Sequence, residues 1–171
     1  MKHSTLLLSS LCLLSACSSA SNTTAQPPQT LSLYASPQSQ QQRALVSYAR
    51  QYLGTRYVWG GTSPKGFDCS GYIQYVYRHF DIDVPRTTAS YPTMFDQAVP
   101  ITQAKVGDLI VFTGTDPSTR RPGHAGIITQ VGKGKLHFIH SSSSKKHFGV
   151  TETNYYQSGY PKRFLKLVRV Q

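Results

Sequence analysis

The stretch Gly66-Phe67-Asp68-Cys69-Ser70-Gly71 places a thiol one residue after an aspartate, a residue type that caps helix N-termini. Downstream, Ile73, Val76, Tyr77 and Phe80 recur at helical spacing. At about 100° per residue, Ile73, Val76 and Phe80 fall within roughly 40° of Cys69 around the helix axis. The spacing therefore predicts a helix that begins at Cys69 and points the thiol along its core-facing stripe. In a first helical turn the free N–H groups and the positive end of the macrodipole favour a thiolate. The expectation is a thiol pKa brought from about 8.5 toward the physiological range. Gly66 and Gly71 leave room for a substrate backbone to approach. The plainer reading of a lone cysteine is a small buried hydrophobe, so a nucleophile needs a partner.

The partner must be a histidine. His79 lies ten residues up the same helix, roughly 15 Å away at 1.5 Å per residue, and cannot reach. His147 follows a Ser/Lys loop that gives it no placement. His124 opens the run HAGIITQV directly after the turn RRPG, at a strand end where functional residues are presented. His137 and His140 share one strand but, three apart, point to opposite faces. Only one of them can face the helix, and periodicity does not choose. Cys69, His124 and either His137 or His140 then make a thiol, base and orienter set. A zinc site drawn from Cys69, His124, His137 and His140 has suitable ligand types, but the two strand histidines splay apart.

The elements that must hold these groups follow from the patterning. Leu45, Tyr48, Ala49 and Tyr52 make an amphipathic helix stopped by Gly54, and the glycine-rich loop GTRYVWGGTSPKG leads into the helix at Cys69. Beyond it the texture changes to β-branched and aromatic runs: 108–112, 124–131, 135–140, 148–152 and 163–170, separated by Gly, Pro, Ser and Asp clusters. Helices first and strands afterwards imply an α+β domain, its helices packed on a mostly antiparallel sheet of five or six strands.

The N-terminal segment reads differently. Residues 1–16, with Lys2 and an apolar run through Leu14, have the pattern of an export signal. Leu14-Ser15-Ala16-Cys17 resembles the bacterial lipobox, which implies lipidation at Cys17 and, with Ser18 next, retention at the outer membrane facing the periplasm. Residues 17–42 carry no charge and are rich in Ser, Thr, Gln, Asn and Pro, the composition of a flexible tether reaching roughly 25 to 30 Å. On this reading Cys12 leaves with the signal and Cys17 carries lipid. Cys69 remains as the sole thiol, which in an oxidising envelope is either buried or used. The 18 Lys and Arg outnumber 7 Asp and Glu; without Lys2 the balance is 17 minus 7, or +10. Such a chain seeks anionic surfaces. An exported lipoprotein does not meet nucleic acid, which leaves carboxylate-rich cell-wall stem peptides and anionic head groups.

Five blocks then carry a resemblance: RYVWGGTSPKGFDCSGYIQYVY (56–77), PRTT (85–88), VGDLIVF (106–112), GHAGIITQV (123–131) and FIHSS (138–142). In this order they resemble the NlpC-type family of bacterial cell-wall cysteine peptidases, over residues 43–171. The resemblance implies a papain-like minimal core that needs neither cofactor nor metal. Cys69 matches the nucleophile, His124 the base and His140 the third member, leaving His137 at the surface. Tyr57 matches a tyrosine beside the developing oxyanion, and Asp68 and Ser70 match residues lining the substrate groove. The implied activity is hydrolysis of peptidoglycan amides through a thioester, at a D-Ala to diaminopimelate crosslink or a D-Glu to diaminopimelate stem bond. A non-catalytic wall-binding protein of the same fold and an acyl or peptidyl transferase are the alternatives. The segment TGTDPSTRRPG before His124 and the GKGK insertion lengthen the spacing relative to compact members, which bears on selectivity.

Overall fold

The computed structural model describes residues 36–94, 98–116 and 118–170. The expected export signal, the expected lipidation at Cys17 and the expected tether up to residue 35 lie outside the described residues.

The first helix, α1 (Pro37–Arg50), starts upstream of the boundary expected at residue 43. Ser36 caps it by accepting from the Ser39 N–H at 3.2 Å, and Pro37 supplies a first-turn residue with φ already set. The uncharged Gln-rich run that reads as tether therefore forms the exposed first turns of a helix. Leu45, Val46 and Ala49 are its buried stripe. The glycine-rich loop folds into a minimal hairpin, β1 (Thr62–Ser63) with β2 (Gly66–Phe67), and leads into α2 (Cys69–Arg78). The Tyr72 hydroxyl donates to Ala49 O at 2.8 Å and ties the two helices together.

Among the described residues six antiparallel strands form the sheet: β3 (Ala98–Val99), β4 (Leu109–Thr113), β5 (Pro122–Gly132), β6 (Lys135–Ser144), β7 (His147–Asn154) and β8 (Phe164–Val168), in spatial order β3-β8-β4-β5-β6-β7. The expected strands all form within a few residues of their anticipated ends, and the two-residue edge strand β3 is added. Both faces of the sheet are covered, which is why its strands read as nearly continuous apolar runs. Val111, Ala125, Ile127, Ile139 and Val150 pack against Leu45, Ile73, Val76 and Tyr77 of the helices. Ile110, Phe112, Ile128, Phe138 and Leu167 turn to the other side, under Tyr155, Tyr160 and Phe164.

One close approach fixes the loop over α2. A Cβ on Gly71 would stand 2.1 Å from the Gly61 carbonyl oxygen, and Gly61 O accepts from the Asp68 N–H at 3.0 Å. The small residue at 71 thus admits the chain's own loop, where the sequence suggested room for a substrate.

Candidate active site

Asp68 caps α2 in extended conformation, its Oδ1 accepting from the Gly71 N–H at 2.7 Å. It also meets a residue that sequence reasoning missed. Arg86, from the loop after α2, donates to Asp68 at 2.6 and 3.1 Å and to Ser70 Oγ at 2.9 Å. Ser70 in turn donates to Asp68 Oδ1 at 3.2 Å. The carboxylate and hydroxyl on either side of the thiol are thereby held by one guanidinium fork. The block PRTT contains Arg86, and a cation able to balance a helix-capping aspartate was the available signal.

Cys69 sits at the tip of α2, half-buried. Burial and then the Asp68 carboxylate push its thiol up, while backbone hydrogen bonds at Ser70, Ala125 and Cys69 itself pull the other way. The lowered thiol expected from the helix end is therefore corrected. Enclosure outweighs the dipole, and the N-cap carboxylate already occupies the positive end of the helix.

His124 is the third residue of β5, beside Phe112, its ring stacked at 6.1 Å from that phenyl and 5.8 Å from Tyr160. Its Nε2 lies 2.8 Å from His140 Nδ1, and His140 Nε2 lies 3.0 Å from Thr153 Oγ1. Both imidazoles are nearly sealed from solvent, at 8% and 1% exposure. Burial, followed by the Arg163 charge, pushes His124 down to about 3. His140 is held well below its ordinary value by burial, then by His124 and Arg163. Both rings are consequently neutral at neutral pH.

His140 packs on Phe138 at 4.8 Å, on the sheet face turned away from α1 and α2. The supposition that the useful histidine must face the helix does not hold, because Cys69 is met at the opening end of β5. The backbone of Ala125, next to His124, is among the groups that lower the Cys69 thiol. Among the described residues no hydrogen bond runs directly between Cys69 and His124; the two share the wall of one cleft.

That cleft, of about 590 Å³, is lined by Tyr57, Trp59, Asp68, Cys69, Ser70, Arg86, Gly123 and His124 among others. Trp59 is 88% exposed, a large apolar face that sequence reasoning did not single out. Burial, then Cys69 and Asp68, raise the Tyr57 phenol, so it stays a protonated donor within the field of the sulfur.

The other histidines fall elsewhere. His137 Nδ1 lies 2.7 Å from Gln130 Oε1, and His79 stacks on Tyr48 with ring centroids 3.8 Å apart. His147 is exposed at the start of β7. Among the described residues no group of three or more His, Cys, Asp or Glu is placed to hold a metal ion. What the cleft offers is a neutral thiol at a helix N-terminus, a neutral imidazole backed by a second one, and a phenolic donor. These groups suit attack on a carbonyl with proton transfer on demand.

Helices packed on an antiparallel sheet, with a thiol at a helix tip and an imidazole at a strand opening, define a papain-like α+β domain. Residues 54–169 match the model of the NlpC/P60 family, and the chain belongs to that family. It is 38% identical over 117 residues to a gamma-DL-glutamyl hydrolase of Bacillus subtilis (strain 168), covering 68% of this chain and 26% of that protein. It is 33% identical over 129 residues to the murein DD-endopeptidase MepS/murein LD-carboxypeptidase of Escherichia coli (strain K12), covering 75% of this chain and 62% of the relative. Among solved structures it resembles an NlpC/P60 family protein from Bacillus cereus ATCC 10987, with TM-score 0.64, 28% identity, 75% of this chain and 40% of that one. The chain thus spans less than two thirds of the length of these curated relatives.

Proposed function

We propose that this protein is a peptidoglycan hydrolase, a cysteine endopeptidase whose nucleophile is Cys69. The observation that carries the reading is the shared cleft, whose lining includes both the thiol at the tip of α2 and an imidazole backed by His140. The names of the curated relatives, a gamma-DL-glutamyl hydrolase and a murein DD-endopeptidase, support the substrate class. The surplus of basic residues suits a carboxylate-rich polymer.

The chemistry follows from the resting protonation states. His124, the base, takes the Cys69 proton on Nδ1 as the sulfur bonds to the scissile carbonyl carbon. The carbonyl π pair moves to oxygen, where the backbone N–H of Cys69 and the Tyr57 hydroxyl receive it. The intermediate collapses with loss of the amine, which leaves with the proton from His124, and a thioester remains. Water then gives a proton to His124 and attacks the thioester carbon. The C–S bond breaks, the acid is released, and the proton returns to sulfur. His140 holds the His124 ring through Nε2, a role of orientation more than charge because it is itself neutral. Asp68 and Ser70, fastened by Arg86, form the groove wall next to the nucleophile. Cys17 carries lipid that anchors the domain at the outer membrane, facing the wall in the periplasm.

Digestion of crosslinked and uncrosslinked muropeptides, followed by product mass analysis, tests this reading. Free termini at either the D-Ala to diaminopimelate or the D-Glu to diaminopimelate bond support it and assign the bond. Intact muropeptides bound to the protein would favour a wall-binding role, and products joined to an added amine would favour transfer.

A further inference from the structure

His140 has a second side that the reaction above does not use. It forms part of the wall of another cavity, of about 510 Å³, together with Ser142, Thr151, Thr153, Tyr160 and Arg163. Thr153 enters from β7 in register with Phe138, two residues from His140 along β6, and so on the same face of the sheet. Its Oγ1 lies 3.0 Å from His140 Nε2 and, among the described residues, is the one partner of that nitrogen.

A neutral imidazole carries one N–H and one bare nitrogen, so the linked pair has two consistent proton arrangements. In the first, His124 Nε2–H donates to His140 Nδ1, His140 Nε2–H donates to Thr153 Oγ1, and His124 Nδ1 is a bare lone pair. In the second every bond is reversed: the Thr153 hydroxyl donates, His140 carries its proton on Nδ1, and His124 is protonated on Nδ1. The Tyr160 hydroxyl, 3.4 Å from His124 Nε2, accommodates either. Only the first gives His124 a lone pair for the thiol proton. It needs an acceptor at His140 Nε2, because an N–H left unpaired on a ring with 1% exposure is unfavourable.

We infer that Thr153 is a positioning residue which, by accepting the His140 Nε2–H, sets the tautomers of both imidazoles so that His124 presents an unprotonated Nδ1 to Cys69. The half-buried hydroxyl borders the second cavity, so its own proton is free to turn toward solvent while its oxygen accepts. This inference rests on the proposed base role of His124, and it adds a member to the constellation that touches neither substrate nor sulfur.

The test uses the full chain labelled with ¹⁵N-histidine, with Thr153→Val and Thr153→Ser beside the wild type. Long-range ¹H–¹⁵N spectra distinguish protonated from bare ring nitrogens. In the wild type and in Thr153→Ser, His124 is expected to be protonated at Nε2 and bare at Nδ1; in Thr153→Val the Nδ1–H form should grow in. In muropeptide hydrolysis kcat should fall about tenfold or more in Thr153→Val, a part of the general-base contribution. KM should stay within about twofold, and serine should restore the rate. Unchanged tautomers in Thr153→Val, or a wild-type His124 already protonated at Nδ1, would overturn the inference. So would a loss of rate that serine does not restore, since that marks a packing defect. A wild-type protein that cuts no muropeptide overturns the hydrolase reading instead, and the spectra keep the two outcomes apart.

Discussion

His124 and His140 meet edge to face, their rings at 85° and Nε2 of the first 2.8 Å from Nδ1 of the second. The pair lies beneath Tyr160 and beside Arg163, with almost no water contact, and its consequences are measurable.

Stability should depend on acid through these two rings. Their folded pKa values are depressed below an unfolded value of about 6.5. Below that value the unfolded chain binds protons that the folded chain refuses, so stability rises with pH in this window and is lost as pH falls. Each ring contributes a slope of up to about 1.4 kcal/mol per pH unit, for His124 continuing down toward about 3. Urea unfolding at a series of pH values between neutrality and 4 should show a falling midpoint, with a shallower fall in His140→Gln. A flat profile would mean that the imidazoles are not held neutral.

The thiol should behave as a shielded group. With Cys69 pushed up by burial and by Asp68, iodoacetamide labelling of the substrate-free protein should be slow at neutral pH and keep accelerating beyond the ordinary cysteine pKa of about 8.5. A plateau reached below neutral pH would indicate a standing thiolate–imidazolium pair, contrary to the resting state described above.

Removing Arg86 strands the Asp68 carboxylate, whose side chain is 12% exposed. Loss of one partner of a buried pair costs about 3–5 kcal/mol, but the Arg86 side chain is 38% exposed and solvent softens the effect. Arg86→Ala is expected to lower stability by about 1–2 kcal/mol in urea unfolding. Arg86→Lys should recover only part of it, because an ammonium cannot reproduce the two-pronged contact. Wild-type stability in Arg86→Ala would show that the fork is dispensable.

Gly71→Ala opposes two effects of known size. Alanine improves a helix interior by about 1 kcal/mol over glycine, whereas overpacking costs about 1–3 kcal/mol. With a backbone oxygen 2.1 Å from the new Cβ, the clash should win and the thermal midpoint should fall. A rise would show that the loop carrying Gly61 yields freely.

Much of this architecture was written in local patterns. Asp68 followed by the stripe of Ile73, Val76 and Tyr77 announces α2, and the apolar runs locate β4 to β8 because their lengths exceed the noise of single residues. The two residues of β3 carry no period, and the start of α1 was hidden because Gln suits a helix and a tether equally well. Alternation separated His137 from His140 but could not say which face holds the site, since both faces of the sheet are buried. The family blocks pointed to His140. Arg86 and Thr153 were out of reach because each meets its partner on a different element, 18 and 13 residues away. The direction of the Cys69 shift was misjudged because a helix-end argument is local and enclosure is not.

The central claim, that Cys69 opens a cell-wall amide with a proton passed to His124, is tested most directly by hydrolysis of purified sacculi by the wild type, Cys69→Ala and His124→Ala under single-turnover conditions. A loss of about 10³-fold or more in each variant is expected. Cleavage by Cys69→Ala at the wild-type rate would contradict the account.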